Sequence, residues 1–170
     1  THLPISIRIG LNTDEIVSGN IGSQRRMNYT VVGDGVNVAS RLEVANKIYG
    51  TRILLSQSTA EGMDSPPLMR EVDRLRVRGR KQPVRIYEIL EPIETHPLND
   101  PKSFLPIYEE ARNLMQKRSW NEALHSFQEA TKIAPEDPIT KLYIERCQRF
   151  ILSPPDSQWD GAWNAEDSPG

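Results

Sequence analysis

The chain has 170 residues, 37% of them hydrophobic, and a formal net charge of −2. That is enough for one ordinary domain or a small domain with an appendage, and the mixed charges give no reason to expect nucleic acid or an anionic membrane as the main partner. No apolar run approaches the roughly 18 residues needed to cross a bilayer. Cys147 is the only cysteine, which excludes an intramolecular disulfide and fits a reducing, cytoplasmic setting.

Ile5, Ile7, Ile9 and Leu11 alternate with Ser6, Arg8 and Gly10, the period of two that predicts a strand with one buried face. The chain opens inside this pattern without a methionine or a segment that reads as a signal peptide. The expectation is a piece of a longer protein, membrane-attached only through upstream regions. After the break at Asn12-Thr13-Asp14, Ile16, Val17 and Ile21 predict a second strand, residues 23–26 a hairpin tip, and Met27 to Val32 the returning strand. Gly33-Asp34-Gly35 ends that strand, Asp34 reads as a helix N-cap, and Val38, Leu42 and Ala45 recur at helical spacing up to Gly50. A short strand at residues 52–55 precedes a brief helix capped by Ser56. Two more strands are predicted near residues 69–77 and 84–90. With one clear crossover helix, residues 1–91 read as an α+β or α/β domain.

Composition then changes. Pro92, Pro97 and Pro101 mark a linker over 92–103. Helical spacing follows over 104–118, 120–133 and 139–150, with Asp137-Pro138 as cap and first-turn pair of the last. Ala111, Leu114, Ala123, Phe127, Ala130 and Pro135 sit at the spacing of one tetratricopeptide-like helical hairpin, an all-α region over 104–150. Such a hairpin needs a surface to cover its apolar face. Residues 151–170 read as an irregular tail whose Trp159 and Trp163 are too apolar to remain in water.

The stretch that carries chemistry is residues 29–43. Asn37 and Arg41, four apart on a helix, project from one face as neighbours, just after a strand and a glycine-containing turn. An amide beside a guanidinium can orient a sugar and meet a phosphoryl oxygen together. By spacing alone, a solvated polar face remains the competing reading.

The run Gly33 to Glu43 resembles the signature of class III adenylate and guanylate cyclases, a glycine-containing turn followed by V-N-x-A-S-R-x-E. The resemblance begins near Ile5 with residues 9–15 and 19–22, and continues through Val77-Arg78-Gly79-Arg80 and Val84 to Leu90. It implies a partial ferredoxin-like cyclase catalytic domain that pairs head to tail as a homodimer, with its active sites at the interface. It implies that ATP, or alternatively GTP, is cyclised with loss of pyrophosphate. Asn37 would hold the ribose and Arg41 the transition-state charge. Thr30 falls where the family contacts the purine edge and looks like the bacterial adenylate-cyclase variant, although it also reads as a plain β-branched strand residue. Arg78 falls where the family uses lysine on the terminal phosphates, with a solvated strand end as the alternative. Two divalent metals, Mg or Mn, belong to the family's mechanism. Their aspartate ligands lie in motifs this chain does not carry, so the chain alone is expected to be inactive. A degenerate cyclase-like regulatory module with a protein-binding tail is the alternative function.

Overall fold

A computed structural model describes residues 7–23, 26–77, 80, 82–90, 98 and 100–164. Its elements run β1 (Ile9–Leu11), β2 (Val17–Ser23), β3 (Arg26–Val32), α1 (Asp34–Tyr49), β4 (Ile53–Ser56), α2 (Gln57–Glu61), β5 (Met69–Arg76), β6 (Val84–Ile89), α3 (Pro101–Gln116), α4 (Trp120–Ile133), α5 (Pro138–Leu152) and β7 (Trp163–Asn164). The class is α+β, as the sequence predicts. Five strands form one sheet in the order β1-β4-β6-β5-β7, and β2 pairs with β3 in a separate antiparallel hairpin. β1 and β4 are parallel, in register Ile9 to Ile53. A parallel pair needs a crossover, and the hairpin and α1 together provide it.

Local chemistry accounts for the helix ends. Ser56 accepts a hydrogen bond from the Thr59 N–H and starts α2. Asp100 and Asp137 cap α3 and α5, each followed by proline in the first turn, where the missing N–H costs nothing. α3 therefore begins at Pro101, inside the span expected to be linker. α1 corrects a second expectation. Its N-cap is Gly33, with no side-chain cap, and Asp34 is the first helical residue. There its carboxylate still faces the positive end of the helix dipole. The helix ends at Gly50, in the left-handed conformation at φ 66°, which glycine adopts without strain.

One core joins the two ends of the chain. Val38, Leu42, Ala45 and Tyr49 of α1 form a buried stripe that is continuous with Val72, Leu75 and Ile86 of the sheet, and with Phe104, Tyr108, Phe127, Tyr143 and Phe150 of the helices. Helices α3, α4 and α5 meet through aromatic contacts, Phe127 stacking on Tyr143 at 5.0 Å between centroids. The tail is less irregular than expected. Trp163 and Asn164 pair in parallel with Leu75 and Arg76 of β5. Both tryptophans dock, Trp159 against Trp120 and Phe150, and Trp163 against Phe150.

β5 is the strand on which the helices sit. The Tyr108 hydroxyl and an Arg112 N–H donate to the Glu71 carbonyl at 3.1 and 2.8 Å, and the Tyr143 hydroxyl donates to the Val72 carbonyl at 2.8 Å. An exposed strand edge invites pairing with other chains, and here α3 and α5 occupy it. The buried Arg70 guanidinium donates to Glu88 at 2.8 Å and to both oxygens of Asp137 at 2.9 and 2.7 Å. Asp137 thus caps α5 and ties that cap to the sheet. Burial alone would push the Asp137 carboxyl up, but the hydrogen bond and charge of Arg70, with Thr140, hold it below its ordinary value of 3.8.

The alternation of β1 misleads about which face is covered. Ile9 and Leu11 are exposed at 36% and 38%, and Ile7 at 66%. It is Gly10, between them, that faces α1. A Cβ on Gly10 would lie 2.1 Å from the Ala39 carbonyl oxygen and 2.5 Å from the Glu43 nitrogen.

Replacing Asp137 by asparagine keeps a capping side chain but removes the ion pair. Leaving the buried Arg70 with Glu88 as its remaining counter-charge should cost about 2 kcal/mol in urea unfolding; a change below about 0.5 kcal/mol would mean the Asp137 pair does not secure the docking. A carboxyl held below its unfolded pKa stabilises the fold fully above about pH 4, and that share is lost as pH falls through the folded value. The parent should therefore lose stability under acid more steeply than Asp137→Asn. Burial raises the Cys147 thiol to about 12. A thiol reagent at about pH 8 should leave Cys147 unlabelled in the folded protein and label it once denaturant is added.

Candidate functional site

The geometry of α1 follows from its two faces. Gly35, Val38, Leu42, Ala45, Asn46 and Tyr49 are buried, so residues a third of a turn away must face outward. Asn37 is exposed and Arg41 half-buried, one turn further along. They share that face with the exposed Ser40 and with Val44, which is 56% exposed.

Several contacts fix this helix relative to β1. Asn12, just past β1, donates from its amide to the Gly35 carbonyl at 3.0 Å, in the first turn. The Asn46 amide donates to the Ile9 carbonyl at 3.0 Å and to the Leu42 carbonyl at 2.9 Å, while its oxygen accepts from the Thr51 hydroxyl at 2.8 Å. Buried amides of this kind are costly unless satisfied, and this one is satisfied by strand, helix and loop together. Between these two points the Gly10 backbone lies directly on α1.

At the N-terminal end of α1, Arg80 pairs with Asp14, and its Nε lies 3.9 Å from Asp34. Two carboxylates that approach the strand-to-helix turn are therefore gathered by one guanidinium. Among the described residues no three His, Cys, Asp or Glu side chains converge on a point.

Of the residues singled out in the sequence, Asn37 and Arg41 are brought together. Thr30 lies on β3, exposed and opposite Gly19 of β2. Arg78 lies outside the described residues. Sequence reasoning missed Asn12, Asn46 and Arg80 as the groups that seat α1. A glycine inside the strand pattern was a usable signal for the close approach at Gly10.

The β2–β3 hairpin leaves Val17, Met27, Tyr29, Val31 and Val32 exposed, from 42% to 74%. By the register of the hairpin, Met27, Tyr29 and Val31 lie on one face and the paired Val17 and Val32 on the other, and apolar side chains left in water on a strand pair mark an interaction site more often than chance. No helix among the described residues is long and apolar enough to cross a membrane.

Residues 1–91 match the family described as the adenylate and guanylate cyclase catalytic domain. A terminal-differentiation-specific adenylate cyclase of Dictyostelium discoideum is 36% identical over 146 residues, 84% of this chain and 7% of that protein. An adenylate cyclase of Anabaena cylindrica is 39% identical over 93 residues, 52% of this chain and 18% of that protein. The adenylyl cyclase CyaB of P. aeruginosa, a crystal structure, shares 35% identity over 54% of this chain and 45% of that one, with a TM-score of 0.46. The chain thus spans less than a fifth of the length of the two curated relatives. The Dictyostelium match is too long to be contained in residues 1–91 and runs into the helical region.

Gly10→Ala should force β1 and α1 apart. Overpacking of this kind costs about 1–3 kcal/mol, seen as a lower Tm and as faster amide exchange in α1. A Gly10→Ala protein as stable as its parent would show that the two backbones are not in contact.

Proposed function

Since the chain belongs to the family of adenylate and guanylate cyclase catalytic domains, we propose that it is the transition-state half of an adenylate cyclase active site. The observation that carries this is the placement of Asn37 and Arg41 on the outward face of α1, directly after the glycine turn, in the part of the chain that the family matches. Curated relatives of two lineages are named as adenylate cyclases, which favours ATP over GTP.

In the proposed reaction the 3′-hydroxyl oxygen of ATP bonds to the α-phosphorus. The bond from that phosphorus to the bridging oxygen breaks, pyrophosphate leaves, and the hydroxyl proton is lost to a base or to water. Arg41 meets the negative charge that builds on the equatorial oxygens. Its guanidinium remains charged and presents donors in a fixed fork, so lysine is a poor substitute. Asn37 hydrogen-bonds the ribose and orients the attacking hydroxyl. Thr30 contacts the purine edge with a hydroxyl that both donates and accepts, and Arg78 contacts the terminal phosphates. Cyclases of this family use divalent metals. Here Mg or Mn would be held by aspartates of the other half of the site and would activate the hydroxyl there.

A homodimer through residues 1–91 would bury the exposed apolar side chains of the hairpin and complete each site across the interface. The organisation that goes with this reading is a catalytic segment to residue 91, a connection to residue 103, a tetratricopeptide-like helical region to residue 150 and a tail. The reaction belongs in the cytoplasm, where ATP is available.

The test is complementation. The chain is mixed with a full-length homologous catalytic domain that retains its metal aspartates but lacks its own transition-state Asn and Arg. The mixture should make cyclic AMP from ATP, and neither component alone should do so. Removing one transition-state donor costs about 3–4 kcal/mol, so Arg41→Ala should lower the rate by roughly 10² to 10³ without weakening association. No product from a mixture that associates would identify a regulatory, degenerate partner instead.

A further inference from the structure

Asn12, Gly10 and Asn46 seat α1 on β1. Its last residue, Tyr49, is held as well by β5 and, through it, by α5. The Tyr49 hydroxyl donates to Asp73 of β5 at 2.6 Å. The same Asp73 oxygen accepts from Arg146 of α5. Asp73 is 1% exposed and Arg146 5%. The Arg146 guanidinium lies 5.8 Å from the Tyr49 ring centroid, 5.2 Å from that of Tyr143 and 3.8 Å from that of Trp163. Beside it, a Cβ on Gly50 would stand 2.8 Å from Pro138, the first residue of α5. The start and the middle of α5 therefore both converge on the end of the helix that bears Asn37 and Arg41.

Apolar packing alone does not call for this arrangement. A buried ion pair is often no more stabilising than well-packed hydrophobic side chains of the same volume. What it adds is direction. The stripe of Val38, Leu42 and Ala45 tolerates small rolls and slides, whereas a hydrogen bond from Tyr49 to a carboxylate held by Arg146 does not.

We propose that Tyr49, Asp73 and Arg146 are positioning residues through which α5 sets the roll and height of α1, and with them the placement of Asn37 and Arg41. The inference rests on the reading of Asn37 and Arg41 given above. By helix rise, Arg41 and Asn37 lie about 12 and 18 Å from Tyr49 along the axis, so the coupling is mechanical. A roll of about 10° moves a side-chain tip, at a radius of roughly 6 Å, by about 1 Å. A misplacement of that size in a catalytic site costs on the order of 100-fold in rate.

Tyr49→Phe tests this with the least disturbance, because the ring stays against Arg146 and only the hydroxyl is lost. In the complementation mixture, kcat should fall at least about tenfold while the KM for ATP stays within about twofold. Asp73→Asn should give the same split. In the chain without nucleotide, amide exchange should quicken across α1 and remain unchanged in α4. Unchanged kcat together with unchanged exchange in α1 would overturn the proposal, and so would a raised KM at constant kcat. Product from the parent and equal product from Tyr49→Phe would remove the positioning role alone. No product from the parent in a mixture that associates would instead overturn the reading of Asn37 and Arg41, and the positioning role with it.

Discussion

Three guanidinium groups, those of Arg70, Arg112 and Arg146, lie buried between the sheet and the helices, and a charge taken out of water must find its counter-charge inside the protein. β5 supplies one member of every pair. Arg70 on β5 is answered by Asp137 of α5, Glu71 by Arg112 of α3, and Asp73 by Arg146 of α5. Arg70 takes an acid from the helices where Glu71 and Asp73 take bases, so a docking shifted by one residue along β5 would set like charges against each other. Apolar contacts between helix and sheet are forgiving about register, and these ion pairs are not. The position of α5, the seal on the edge of β5 and the contact of α5 with α1 all follow from that register.

The elements were largely legible, and the reasons are local. Trp120 to Ile133 reads as a helix and is one, because its apolar residues recur at helical spacing between clear breaks. Asp137-Pro138 announces the start of α5, since capping chemistry involves only neighbours. The misreadings come from questions that local pattern cannot answer. Alternation at Ile7, Ile9 and Leu11 shows that β1 has two unlike faces. Which face is covered depends on α1, and α1 lies against Gly10. Asp34 has the right residue type for a cap, but Gly33 already occupies that position and Asp34 is drawn towards Arg80 instead. The strand at Trp163 and Asn164 exists only because β5 offers them an edge.

The candidate site was legible in another way. Asn37 and Arg41 stand out because their order and spacing match a family signature. Their common outward face is a simple consequence of helical geometry, given the buried stripe beside them. The groups that seat α1 are not marked for that role, although Asn12 lies in the matched run 9–15. Asn12, Asn46 and Tyr49 act across 23, 37 and 24 residues of sequence, and nothing in their own surroundings distinguishes them from ordinary loop or helix residues. Residues that meet a substrate tend to come in motifs, whereas residues that aim them are found only once the chain is folded.

The shared core bears on how such a segment could be inherited or transplanted. The family match ends at residue 91, yet the helical partners of Arg70, Glu71 and Asp73 lie beyond it, at Asp137, Arg112 and Arg146. A recombination that cut at the boundary of sequence similarity would part Arg70 from Asp137, leaving it Glu88 alone, part Glu71 from Arg112 and Asp73 from Arg146, and expose the aromatic underside of α3–α5. In this chain, therefore, the unit that would stay intact under such an exchange is the family-matched segment together with its three helices and the tryptophan-bearing strand that closes them.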